Sequence, residues 1–278
     1  MSHSHTALDK VTVAAVQMTS AADVPSNLET AGTLLEAAAD AGARLALLPE
    51  NFSFMGRRDA DKRAIAEREG AGPVQDFLSR RARELKLWIV AGTTPISDTP
   101  AERVAAACLV YDDQGQRVAR YDKIHLFDVD IPGREEKYRE STHIAPGSRL
   151  GLVPTPAGLL GLSVCYDMRF PELYRPMAAA GAQWFTVPSA FTVPTGRAHW
   201  ETLLRARAIE NLSFVVAAGQ WGPHASGRET YGDSMIIDYW GTVLARLSSG
   251  QGVIVAELDL EAQRAARRDF PALSHRVM

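Results

Sequence analysis

Apolar residues follow two rhythms along the chain. VTVAAVQM (11–18), RLALLPE (44–50) and LWIVAGT (87–93) are short, nearly continuous apolar runs bounded by turn residues, as expected of buried strands. Between them, NLETAGTLLEAAADAGA (27–43) repeats its apolar positions every three or four residues and closes at Gly42. PVQDFLSRRARELKL (73–87) opens with Pro73 at a first-turn position and is apolar at 74, 77, 78, 85 and 87. Both spacings predict helices. Strand and helix in alternation predict α/β layers.

The middle of the chain changes character. AAACLVYDDQGQRVARYDK (105–123), LVPTPAGLLGLSVC (152–165) and SMIIDYWGTVLARL (234–247) each read as two strands around a turn containing glycine. Hairpins mixed with βα units imply mixed sheets. The candidates total about a dozen strands, too many for one comfortable sheet. Two stacked sheets with helices outside would absorb them, and PELYRPMAAAGA (171–182) and RAHWETLLRARAIENL (197–212) are the covering helices. No linker, repeat or low-complexity stretch divides the chain. A flexible tail at 1–9 and a single domain over 10–278 are expected.

Composition narrows the class. The chain has 278 residues, 46% of them hydrophobic, which is enough for a large core. A net charge of -3 supplies no basic field for nucleic acid or an anionic membrane. Cys108 and Cys165 lack any Cys-x-x-Cys spacing. The start, MSHSHTALDK, has no apolar signal core, and no run approaches the ~18 residues of a membrane span. Reducing cytoplasm is the expected compartment. All but five of the 30 basic residues are arginine, so Lys123, inside an apolar segment, stands out.

Three reactive side chains stand at the ends of predicted strands, where α/β proteins bind ligands. They are Glu50 after RLALLP, Lys123 after QRVARYD and Cys165 after LLGLSV. Singly, each has a structural explanation: a solvated loop acid, a wet-face lysine near His125, a small buried thiol. Together they form a complete set for attack on an amide carbonyl, namely nucleophile, base and positive charge. A lysine about 4 Å from a thiolate, at an effective dielectric near 20, is worth roughly 4 kcal/mol before desolvation. Half of that would bring an ordinary thiol to about neutrality, and a following helix N-terminus would carry it lower. A preformed thiolate is the expectation. Arg169 either binds a substrate carboxylate or pairs with Asp167 or Glu172 as scaffold.

LLPENFSF around Glu50, RYDKIHLFD around Lys123 and LSVCYDMRFPELYR around Cys165 closely resemble the nitrilase superfamily of carbon–nitrogen hydrolases. IPG (131–133), ES (140–141), HWETLLRARAIE (199–210) and YGDSMIIDYWG (231–241) resemble its Nit branch, amidases of small carboxylated amides. The resemblance spans Val11 to about His275. It implies an αββα sandwich that typically pairs into a homodimer, with no metal or organic cofactor. It adds Glu140 as a second glutamate orienting lysine and substrate, the Tyr166 backbone N–H as oxyanion donor, and Phe191 and Thr195 as pocket residues. The implied reaction is hydrolysis of a terminal amide through a thioester, with ammonia released.

The segment 215–235 is more similar to deaminated glutathione amidases than to ω-amidases of α-ketoglutaramate and α-ketosuccinamate. His224, Ser226 and Arg228 would then form a wider, polar entrance. Arg197 and Tyr239 depart from the prolines usual at those positions, and the chain stops at SHRVM where relatives continue. Three rival readings remain at this point: a protease-like site with His125 or His199 as base, a catalytically silent interaction module, and a true nitrilase.

Overall fold

A computed structural model describes residues 8–97, 103–131 and 137–277. Most of the expected tail, and the IPG stretch beyond Ile131, lie outside the described residues. The chain begins β1 (Lys10–Gln17), α1 (Val24–Asp40), β2 (Leu45–Leu48), α2 (Pro73–Leu85) and β3 (Trp88–Ile96), then turns back through the hairpin β4 (Val104–Tyr111) and β5 (Arg117–Asp122). A small ribbon, β6 (Asp128–Asp130) with β7 (Lys137–Arg139), precedes β8 (Ile144–Ala145). The second half runs β9 (Gly151–Thr155), β10 (Gly158–Leu162), α3 (Pro171–Ala179), β11 (Trp184–Ser189), α4 (Val193–Asn211) and β12 (Phe214–Gly219). A ribbon of β13 (Trp221–Pro223) and β14 (Glu229–Tyr231), the hairpin β15 (Ser234–Ile237) and β16 (Val243–Leu247), then β17 (Gly252–Asp259) and α5 (Leu260–Asp269) complete it.

Among the described residues, one sheet has the order β17-β1-β2-β3-β4-β5, with β8 alongside β4, and the other β16-β15-β12-β11-β10-β9. In each, three parallel strands form the centre and antiparallel strands flank them. The mixed-sheet α/β expectation holds, and so does the αββα layering.

Alternation along β1 explains the layering. Val11, Val13 and Ala15 face the other sheet, joining Trp88, Val110, Leu160, Leu162 and Trp184 in the central core. Ala14 and Val16 face outward, beneath Leu35 of α1 and Phe77 and Leu78 of α2. On the far side, Tyr174, Met177, Trp200 and Leu204 cover the second sheet with α3 and α4.

Helix ends differ from expectation where caps were hidden. α1 starts at Val24 because the Asp23 carboxylate accepts the Ser26 N–H at 2.9 Å and Pro25 fits the first turn. α4 starts at Val193, four residues before the expected Arg197, because Pro194 likewise occupies its first turn. No helix among the described residues is long and apolar enough to cross a membrane.

Candidate active site

Glu50, Cys165 and Ala190 all lie just beyond the carboxyl ends of central parallel strands, where the two sheets meet. Glu50 follows β2 by two residues, and Pro49 ends that strand. The next residue, Asn51, sits in the left-handed region at φ 58°, and its N–H donates to Thr93 Oγ1 at 2.9 Å. Gln220 Nε2, from the other sheet's side, donates to the Glu50 carbonyl at 3.0 Å. Gly92 makes room for this turn: a Cβ there would lie 2.0 Å from the Pro49 carbonyl oxygen.

Lys123 comes directly after β5, its N–H held by the Ala106 carbonyl at 3.1 Å. Its Nζ donates to Glu50 Oε1 at 2.8 Å and to both oxygens of Glu140, at 2.9 and 3.1 Å. Glu140 also accepts the Phe127 N–H at 2.7 Å, which fixes its carboxylate. Lys123 is 2% exposed and Glu50 5%. Burial works against charge on Lys123, but the Glu140 and Glu50 carboxylates outweigh it and hold its pKa well above the ordinary value. Burial likewise opposes ionisation of Glu50, yet Lys123 keeps its carboxyl below the usual range. The second oxygen of Glu50 accepts the Ala190 N–H at 2.8 Å.

Cys165 completes the group from the turn that follows β10. β10 stops at Leu162, and Cys165 opens a 3-10 turn, Cys165–Arg169, with φ 49°. That backbone strain is sustained by Asp167, which is fully buried. Its carboxylate accepts from Val164 N at 2.9 Å, Tyr121 Oη at 2.8 Å and His125 N at 3.0 Å, and its Oδ1 lies 2.7 Å from His125 Nδ1. The Cys165 thiol lies close enough to the Glu50 carboxylate and the Ala190 N–H for both to act on its ionisation.

The preformed thiolate expected from sequence is not supported. Burial and the Glu50 charge push the thiol up to about 12, and the pull of Lys123 is smaller. The main cause is burial, which disfavours a charged sulfur, and the neighbouring Glu50 carboxylate adds to it. α3 begins only at Pro171, so Cys165 lies outside the first turn, where a helix dipole acts. The sulfur therefore keeps its proton until a base removes it, and Glu50 is the base in contact.

These residues border a cavity lined also by Tyr166, Phe191 and Thr195. Arg169 is not among its lining residues. Its guanidinium lies 5.7 and 5.2 Å from the ring centroids of Tyr166 and Phe191 and 3.2 Å from His199 Nδ1, and pairs with neither Asp167 nor Glu172 among the described residues. The protease-like alternative loses its base, because neither histidine lines the cavity. His125 is held by Asp167 and stacks on Phe170 at 3.8 Å.

Of the three entrance residues, only Arg228 lines the cavity. His224 is buried, tied to Ser20 O at 3.0 Å and Thr230 Oγ1 at 2.7 Å, and Ser226 is exposed. Sequence reasoning missed Lys62, Asp59, Tyr138 and the Ala190 peptide. The first two lay in a run, RRDADKR, that reads as solvated, and a peptide group carries no side-chain signal.

A carboxylate in contact with a buried thiol, beside a lysine held by a second carboxylate, suits acyl transfer from nitrogen. The chain belongs to the carbon–nitrogen hydrolase family, whose model matches residues 12–268. It is 44% identical over 268 residues to the deaminated glutathione amidase of Homo sapiens, covering 95% of this chain and 81% of that one. Crystal structures of the C. elegans NitFhit protein and of Saccharomyces cerevisiae Nit3, a member of branch 10 of the nitrilase superfamily, have the same fold. The first is 39% identical with TM-score 0.90, covering 98% of this chain and 66% of that one. The second is 30% identical with TM-score 0.87, covering 97% of each.

Proposed function

We propose that the chain, acting as one catalytic domain over residues 10–278, is a cysteine-dependent amidase that hydrolyses deaminated glutathione through a thioester on Cys165. The observation that carries the reading is the buried contact set of Cys165, Glu50, Lys123 and Glu140. Identity with amidases of that name supports the substrate.

Glu50 takes the thiol proton as sulfur attacks the carbonyl carbon, so thiolate never accumulates. Lys123 Nζ and the Tyr166 N–H hold the developing oxyanion. The Glu50 carboxyl then gives its proton to the amide nitrogen, the C–N bond breaks and the amine departs. Water, deprotonated by Glu50, attacks the thioester and releases carboxylate and thiol. Glu140 acts as a positioning residue that keeps Lys123 aimed. Phe191 and Thr195 shape the acyl pocket, and Arg169 backs that wall through Tyr166 and Phe191. The leaving group follows the amide: ammonia from a primary amide, the Cys–Gly amine from deaminated glutathione.

The reading includes a homodimer, supported by the exposed Ile209, Trp240 and Phe270, the last two in ring contact at 5.6 Å. It includes a cytoplasmic location, supported by two unpaired cysteines. Side-by-side kinetics test the substrate: kcat/KM for deaminated glutathione should exceed that for α-ketoglutaramate. The reverse order reassigns the enzyme to the shorter amide, and no turnover of either removes the reading.

A further inference from the structure

We propose that Arg228 is the carboxylate receptor of the cavity and sets a preference for anionic amides; this rests on the amidase reading above. Three cationic side chains line the cavity. Lys123 is matched by two carboxylates, and Lys62 faces Asp59, with Nζ 3.8 Å from Oδ1. Arg228 has no acidic partner among the described residues.

What holds Arg228 instead is neutral. One Nη donates to the Ala190 carbonyl, and the guanidinium carbon sits 5.0 Å from the Tyr138 ring centroid. Its Nε is shut off from solvent with no hydrogen-bond partner. The Nε is closed off, but a guanidinium whose Nη groups are held by a single neutral oxygen keeps donors that a carboxylate could take up in charge-assisted bonds. A guanidinium already stacked on a ring loses little freedom in making them.

The mounting is rigid. Arg228 belongs to the turn between β13 and β14, where its carbonyl accepts the His224 N–H at 2.9 Å and its N–H donates to Ser226 Oγ at 3.2 Å. His224, clamped between Ser20 and Thr230, anchors that turn. The Ala190 peptide then joins two functions, since its carbonyl is held by Arg228 while its N–H holds Glu50. A substrate anion on Arg228 would lie in the same cavity as the sulfur without competing for the ammonium of Lys123.

The test uses Arg228→Gln and Arg228→Lys in the full chain. Substrates are deaminated glutathione and α-ketoglutaramate, each beside a form with one carboxylate neutralised as amide or ester. For the carboxylate that Arg228 binds, Arg228→Gln should lower kcat/KM about 10- to 100-fold, with the loss falling mainly on KM. Neutralising that carboxylate should cost the wild type a similar factor and Arg228→Gln little more, and Arg228→Lys should recover part of the affinity. Equal losses for charged and neutralised substrates, falling on kcat, would reduce Arg228 to a prop for Ala190 and overturn the proposal.

A second readout needs no turnover. In a Cys165→Ala background, 2-oxoglutarate, a keto dicarboxylate, should raise Tm, and Arg228→Gln should remove the rise. No rise with Arg228 present, or a rise that survives Arg228→Gln, also sinks the proposal. Should no amide be hydrolysed, the amidase reading fails while the Tm comparison still decides the role of Arg228.

Discussion

The two halves of the sandwich share a plan and divide the labour. β1, β2 and β3 alternate with α1 and α2, and β10, β11 and β12 alternate with α3 and α4, each parallel trio flanked by antiparallel strands. The first sheet brings charge: Glu50 after β2 and Lys123 after β5. The second brings the sulfur of Cys165, the Ala190 peptide and the Phe191–Thr195 wall. Neither half alone holds both nucleophile and base. Burial, and a carboxylate from across the interface, together favour the protonated sulfur.

The largest break in this comparison is removal of the sulfur. Cys165→Ala should cut turnover by about 10⁴-fold or more while leaving Tm close to that of the wild type, because the site loses only one small buried atom group. Residual amidase activity at the wild-type level would take the second half out of the chemistry.

Removing the ammonium should instead damage the fold. Lys123→Met strands one buried and one half-buried carboxylate, and urea unfolding should show a loss of about 3–5 kcal/mol. Adding Glu50→Gln and Glu140→Gln to that variant should recover much of the stability and none of the turnover. A Lys123→Met protein as stable as the wild type would mean that the cluster is solvated.

Titration sharpens the point about control. Absorbance at 240 nm, wild type minus Cys165→Ala, should show no thiolate step until pH approaches 12. Glu50→Gln deletes the nearest negative charge, which favours the ionised sulfur, so the step should move down by about 1–3 units. A wild-type step near neutrality would restore the preformed thiolate. The smallest effect is steric: Gly92→Ala forces the Pro49 turn away from β3, at a cost of about 1–3 kcal/mol read by thermal unfolding.

Much of this was legible from pattern. Uninterrupted apolar runs marked the parallel strands, and glycine turns marked the hairpins at 105–123, 152–165 and 234–247. Glu50, Lys123 and Cys165 stood out because reactive groups beyond strand ends are conspicuous.

What was missed depends on tertiary geometry. The thiolate expectation counted one lysine against one sulfur, and only the fold shows how fully that sulfur is buried and that the Glu50 charge lies beside it. The resemblance supplied Glu140 as a residue, not its two-oxygen grip on the ammonium. Arg228 and Ser226 both read as polar loop positions. Only the Ala190 carbonyl and the Tyr138 ring separate the arginine, which lines the cavity, from the exposed serine.

Asp167 has a consequence for how the enzyme would wear out. One carboxylate gathers hydrogen bonds from Tyr121 and His125, on either side of the lysine, and from the backbone just before the cysteine. It works like a rivet through two plates: the spacing between ammonium and sulfur cannot drift without uncovering a charge in the dry interior. Heat should not loosen such a site by degrees, so catalytic competence and overall structure would vanish in one step.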